Sequence, residues 1–215
     1  MSQNINLKEA DRKIFSASFD DGLLDIFLAC WLLIFILGPF LSVYLGDFWS
    51  SFVFLPYWGV VYLILRWVRK HVVNPRIGSV KYGPIRIKKL TTFTILMLVL
   101  NIIFLLLGIV AFLMPIGSGW RFILPFSAML LISFSLGGYF LGLTRLYVYG
   151  LILALAIPVG EWLYQNFGAS HHGFPVTFGF VATIIFLVGL VKFITLVRDN
   201  PLPPEDLPIL EPDNG

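Results

Sequence analysis

Of the chain's 215 residues, 58% are hydrophobic and only 13% charged, whereas an ordinary soluble domain carries about 25% charged residues. That much apolar surface, arriving in long runs, exceeds what one soluble core of this length can hide; it excludes a water-soluble globular domain and points to a bilayer as solvent. The formal charge is +3, and the single cysteine, Cys30, excludes an intrachain disulfide.

Met1 to Phe19 are polar and mixed in charge, without the apolar core of a secretion signal. Asn6 is placed to cap a helix with Glu9 at its third position. Leu7, Ala10, Ile14 and Ala17 recur at helical spacing, so residues 1–21 are read as a cytoplasmic segment with a short helix lying in the interface. Residues 22–197 follow as a transmembrane domain of six spans, 23–45, 48–65, 91–114, 122–143, 147–164 and 176–197. Each fits the length of about 17–25 residues that a membrane helix needs. Pro56 and Pro158 should bend the second and fifth spans. Gly46-Asp47 and Thr144 to Leu146 are short enough to make antiparallel hairpins of spans one and two and of spans four and five.

Between spans two and three lies a basic loop, 66–89, which holds eight of the chain's fifteen Lys and Arg residues. With the N-terminus inside, fourteen of the fifteen fall on inner segments and only Arg121 on an outer one. The positive-inside rule therefore predicts an inner-membrane, multi-pass protein with both termini cytoplasmic. Asn74-Pro75 and Gly83-Pro84 punctuate the loop. Ile77 to Tyr82 and Ile85 to Lys88 mix β-branched, aromatic and basic residues, which suggests a small β-hairpin on the membrane surface. Residues 198–215 form an acidic, proline-rich cytoplasmic tail, expected to be extended or disordered.

Two stretches carry a resemblance. Phe19-Asp20-Asp21-Gly22-Leu23-Leu24-Asp25-Ile26 has the form F-x-D-G-L-x-D-I, and Pro75-Arg76-Ile77-Gly78-Ser79-Val80-Lys81-Tyr82 has the form P-R-x-G-x-V-K-[FY]. On these motifs the chain resembles a family of prokaryotic multi-pass membrane proteins. The resemblance implies the same helical architecture, and it implies no activity, substrate or cofactor.

Ionisable residues inside apolar runs are costly and are often functional. Asp25 lies about one turn into the first span. Its competing role is capping or ion pairing near a helix N-terminus. Glu161 lies about one turn from the outer end of the fifth span, on a stripe with Gly150, Ala154, Pro158 and Gln165, and His171 and His172 follow in the next loop. Sign and depth match Arg145 to Asp25 and Arg121 to Glu161. A Glu with two histidines also has the donors for a metal or a proton relay, but adjacent histidines are not ligand spacing, and no metal site or cofactor is expected. Asn101 is a polar group in mid-span three, and Gly138-x-x-x-Gly142 is a small-residue packing motif in span four.

The basic loop admits three readings: a topology signal alone, a surface for anionic lipid headgroups through Arg76, Lys81, Arg86, Lys88 and Lys89, or a dock for a cytoplasmic or membrane protein. Nucleic acid is the least favoured partner, because a tethered basic patch meets lipid phosphates first. The sequence thus predicts an all-α polytopic bundle acting as a non-enzymatic membrane component. The alternative is a small transporter or channel using Asp25, Asn101 or Glu161 along a path.

Overall fold

A computed structural model describes residues 19–78, 84–113 and 120–202. The helix expected before residue 19, Lys81, and the tail beyond Leu202 lie outside the described residues, as do the side chains of Arg86 and Arg121.

In hydrocarbon every backbone N–H and C=O must be matched within the chain, so long apolar segments fold as helices. Among the described residues, six helices are long and apolar enough to cross a membrane: α1, Leu23–Gly46; α2, Phe48–Ile77; α3, Pro84–Leu113; α4, Trp120–Leu141; α5, Thr144–Phe167; and α6, Phe174–Asp199. All regular structure among the described residues is helical.

The first reversal occurs at Gly46 (φ 76°, ψ 163°), the one non-helical residue between Leu23 and Val68. It closes an antiparallel hairpin: Tyr57 Oη donates to Cys30 O at 3.0 Å, and the rings of Phe27 and Trp58 lie 5.5 Å apart. The helical backbone runs through Pro56 and Pro158. The second hairpin turns at Gly142 (φ 72°), where Leu143 N–H bonds back to Gly138 O at 3.1 Å. That is the Schellman closure, which favours glycine at its left-handed position. The small-residue motif therefore divides its work. Gly138 is the packing residue, since a Cβ there would fall 2.7 Å from the Tyr147 ring, and Gly142 makes the turn.

The structure corrects the second strand of the surface β-hairpin expected between Ile77 and Lys88, while residues 79–83, most of its first strand, lie outside the described residues. Helix α2 continues through the basic residues to Ile77, and Ile85 to Lys88 are the first turn of α3. Pro84 explains the second point: proline fixes φ near −65° and needs no N–H partner at a helix start. Pro75 acts inside α2. Its missing N–H disturbs the hydrogen-bond ladder, and a π-helical turn forms over Arg69–Val73, with Asn74 N–H bonding to Arg69 O.

The core lies among α1, α4, α5 and α6. Leu32, Leu153, Ile157, Phe178 and Ile185 are almost completely buried, and Phe35 stacks on Phe178 with ring centroids 4.7 Å apart. Helix α5 is central, with half of its apolar window buried, whereas the window of α3 has no buried residue. Helix α3 therefore leaves its Leu and Ile side chains to the surroundings.

Candidate functional site

Two polar constellations stand at opposite ends of this bundle. At the end carrying the basic residues, the start of α1 meets α5 and α6. Asp21 Oδ1 accepts from Leu23 N–H at 3.0 Å, which starts the helix. Gly22 (φ +78°) lies against α6, where a Cβ would fall 2.2 Å from Gly189 O. Only glycine allows both that dihedral and that contact. The close approach carries Asp25 into the interior, where it is 0% exposed.

Arg145, the second residue of α5, reaches this acid. Its Nε donates to Asp25 Oδ1 at 2.9 Å, its Nη1 to Asp20 Oδ1, and its Nη2 to Phe19 O at 2.7 Å. Lys192 of α6 also binds Asp20 Oδ1, and Arg69 of α2 lies 3.4 Å from Asp21 Oδ2. The buried hydroxyl of Tyr149 interacts with the Asp25 carboxyl. Neither it nor Asp25 Oδ2 has a hydrogen-bond partner of good geometry. Burial pushes the Asp20 carboxyl up, but hydrogen bonds and charge from Lys192 and Arg145 outweigh it and hold the group below its usual value. At Asp21 burial dominates, and the carboxyl is raised despite the Arg69 charge.

At the opposite end, Glu161 of α5 is 3% exposed. Its Oε1 accepts from Gln165 Nε2 at 2.9 Å, and its Oε2 lies 2.8 Å from His172 Nδ1. His171 and His172 have positive φ, 50° and 55°, a costly conformation for a residue with a Cβ. It is held by the close seating of the α5–α6 connection, because a Cβ at Gly160 would fall 2.9 Å from His172 O. Below this pair lies a cavity of about 410 Å³. Its walls are apolar, with Phe104 and Gly108 from α3, Phe126 and Met129 from α4, and Ile157 from α5; Glu161 and His172 form its polar end.

The structure thus brings together Asp25 and Arg145. Glu161 is matched to Gln165 and His172, and the Arg121 side chain lies outside the described residues. Asn101 stands apart, exposed on α3, with Nδ2 donating to Met97 O of its own helix at 2.8 Å. His171 lines a different cavity from His172, beside Gly38 and Phe54. No group of three metal-binding side chains forms among the described residues. Sequence reasoning missed Tyr149 and the Gly22–Gly189 contact. Gly22 carried a signal, since a glycine at the mouth of a span marks a helix boundary and a place where backbones can approach closely. Nothing in the sequence marks Tyr149 among eight tyrosines.

No family model, no curated protein and no solved structure matches this chain.

Proposed function

We propose that this multi-pass membrane protein is a non-enzymatic component of the inner membrane, with both termini cytoplasmic, whose basic loop holds anionic lipid headgroups. One observation carries the reading. At the basic end, Arg145, Lys192 and Arg69 are matched to Asp20, Asp21 and Asp25, whereas Arg66, Lys70, Arg76 and Lys88 have no acidic partner among the described residues. The unmatched cations sit on the final turns of α2 and the first turns of α3. Because α2 runs on to Ile77 and α3 begins at Pro84, these cations are carried on helical turns that flank the apolar spans, which supports a role in contacting headgroup phosphates. Each such residue near an anionic surface contributes about 1 kcal/mol. Lys89 is used differently: its Nζ lies 5.3 Å from the centre of the Tyr139 ring, tying α3 to α4.

A transporter reading finds less support. Asp25 and Glu161 are separated along α5 and α6 by buried Leu153, Ile157, Phe178 and Ile185, and Asn101, which faces an open groove between α3 and α4, bonds only to its own helix. The test is lipid retention. Replacing Arg76, Lys81, Arg86 and Lys88 with Gln should reduce the phosphatidylglycerol and cardiolipin that copurify with the protein, and salt should strip them more easily. Unchanged, salt-independent lipid content would reduce the loop to a topology signal.

A further inference from the structure

The cavity beneath Glu161 is not used by the lipid-surface reading, and its construction is that of a binding site. Protein interiors are close-packed, and voids larger than a water molecule are few. A space of about 410 Å³ falls instead in the range of ligand pockets, about 300–1,000 Å³, which are mostly apolar with a few placed polar groups. Here the polar groups are one carboxylate and one imidazole. The carboxylate is buried at the membrane-spanning level, where an ionisable group is expensive to keep. Its position is fixed from both sides, by Gln165 at 2.9 Å and by His172 at 2.8 Å. A carboxylate offers about four acceptor sites, so two remain on a group that lines the cavity. Helix α3, which forms one wall, has no buried residue in its apolar window, so the wall facing the bilayer is the least anchored part of the bundle.

We infer that this cavity binds a single-chain amphiphile from the bilayer, its hydrocarbon chain lying among Phe104, Phe126, Met129 and Ile157 and its head group donating hydrogen bonds to Glu161. The head is an alcohol or an amine. A fatty-acid carboxylate is rejected, because it would set like charge against Glu161 in a low-dielectric site.

The test uses the full-length protein in phosphatidylcholine nanodiscs and hexadecanol carrying a photoreactive diazirine on its chain. Labelling should saturate and map to the segments holding Phe104, Phe126 and Met129. Unlabelled hexadecanol or hexadecylamine should compete, and the stronger of the two identifies the head group. Palmitate should compete at least about tenfold more weakly, and Glu161→Gln should weaken binding by about tenfold, the loss expected for one hydrogen bond to a charged group. Should that variant fold poorly, Gly108→Phe supplies an independent reading. A Cβ at Gly108 meets nothing within 4 Å, so the ring enters the cavity from a loosely packed helix and should abolish labelling. Labelling that does not saturate, that palmitate blocks equally, or that survives Gly108→Phe overturns the proposal.

Discussion

Arg145 serves three acceptors, Asp25, Asp20 and the Phe19 carbonyl, and this asymmetry decides how the two halves of the Asp25–Arg145 pair respond to mutation. Removing one partner from a buried pair costs about 3–5 kcal/mol, because the survivor is left uncompensated. Arg145→Gln leaves Asp25 fully buried without its counter-charge. In Asp25→Asn, Arg145 keeps Asp20 and Phe19. Both single variants should therefore lower thermal stability in detergent, Arg145→Gln by more, and the double variant should recover part of the loss. A double-mutant cycle measured by thermal melting checks this, and strictly additive losses would sink the coupling. The pairing was legible from sign and depth alone, since an acid about one turn inside the first span and an arginine at the start of the fifth fall at the same end of the bundle. The role of Asp20 as a bridge between Arg145 and Lys192 was not legible, because it depends on how α1 sits between α5 and α6. At Glu161 the expected partner, Arg121, has its side chain outside the described residues. Of the two histidines that follow in sequence, His172 is the one that reaches the acid; that choice is made by two residues of positive φ, and backbone dihedrals of that kind leave no trace in residue type.

Among the elements, the start of α1 depends most on a single atom's absence. Gly22 combines a positive φ with backbone contact to Gly189, and a Cβ at Gly189 would in turn fall 2.9 Å from Asp25 Cβ. Backbone strain alone costs about 1–3 kcal/mol at such a position, and the overlap with Gly189 O adds to it. Gly22→Ala should lower the melting temperature more than Gly108→Ala on α3, where the added methyl meets open space. Equal melting temperatures for the two variants would remove the α1–α6 backbone contact from the account. This geometry also gives the F-x-D-G-L-x-D-I stretch a physical meaning: Asp21 starts the helix, Gly22 seats it on α6, and Asp25 takes the charge of Arg145. The number and order of helices were readable because spanning segments need only length and hydrophobicity. Their ends were harder to read. The helix that carries the second span continues past Leu65 through Arg66 to Ile77, since charged residues can end an apolar stretch without ending the helix. The β-rich composition of Ile85 to Lys88 was outweighed by a proline in the right place to begin one.

For the molecule as a whole, the proposed orientation rests on charge, and the structure supplies places to measure it. Helices α1, α3 and α5 begin at the basic end, and α2, α4 and α6 finish there, so Asp20, Asp21, Asp25, Arg145 and Lys192 all share the end that carries Arg66 to Lys89. Asp20, Asp21 and Asp25 there are matched within the chain, and acidic residues, those of the tail included, count for little in the positive-inside bias. Moving this end across the membrane would require carrying the unmatched Arg66, Lys70, Arg76 and Lys88 through hydrocarbon, at about 2.5–3.5 kcal/mol for each such residue at mid-membrane. The opposite end offers less resistance, since Arg121 is the one Lys or Arg that the sequence places there. Two exposed positions report the two sides. In a Cys30→Ala background, Ser170→Cys, beside the His171–Gly173 turn, should react with an impermeant thiol reagent in intact cells. Asn200→Cys, just beyond the end of α6, should react only after the cells are lysed. The reverse pattern would invert the topology, placing the unmatched cations away from cytoplasmic anionic lipid and the amphiphile cavity in the inner leaflet.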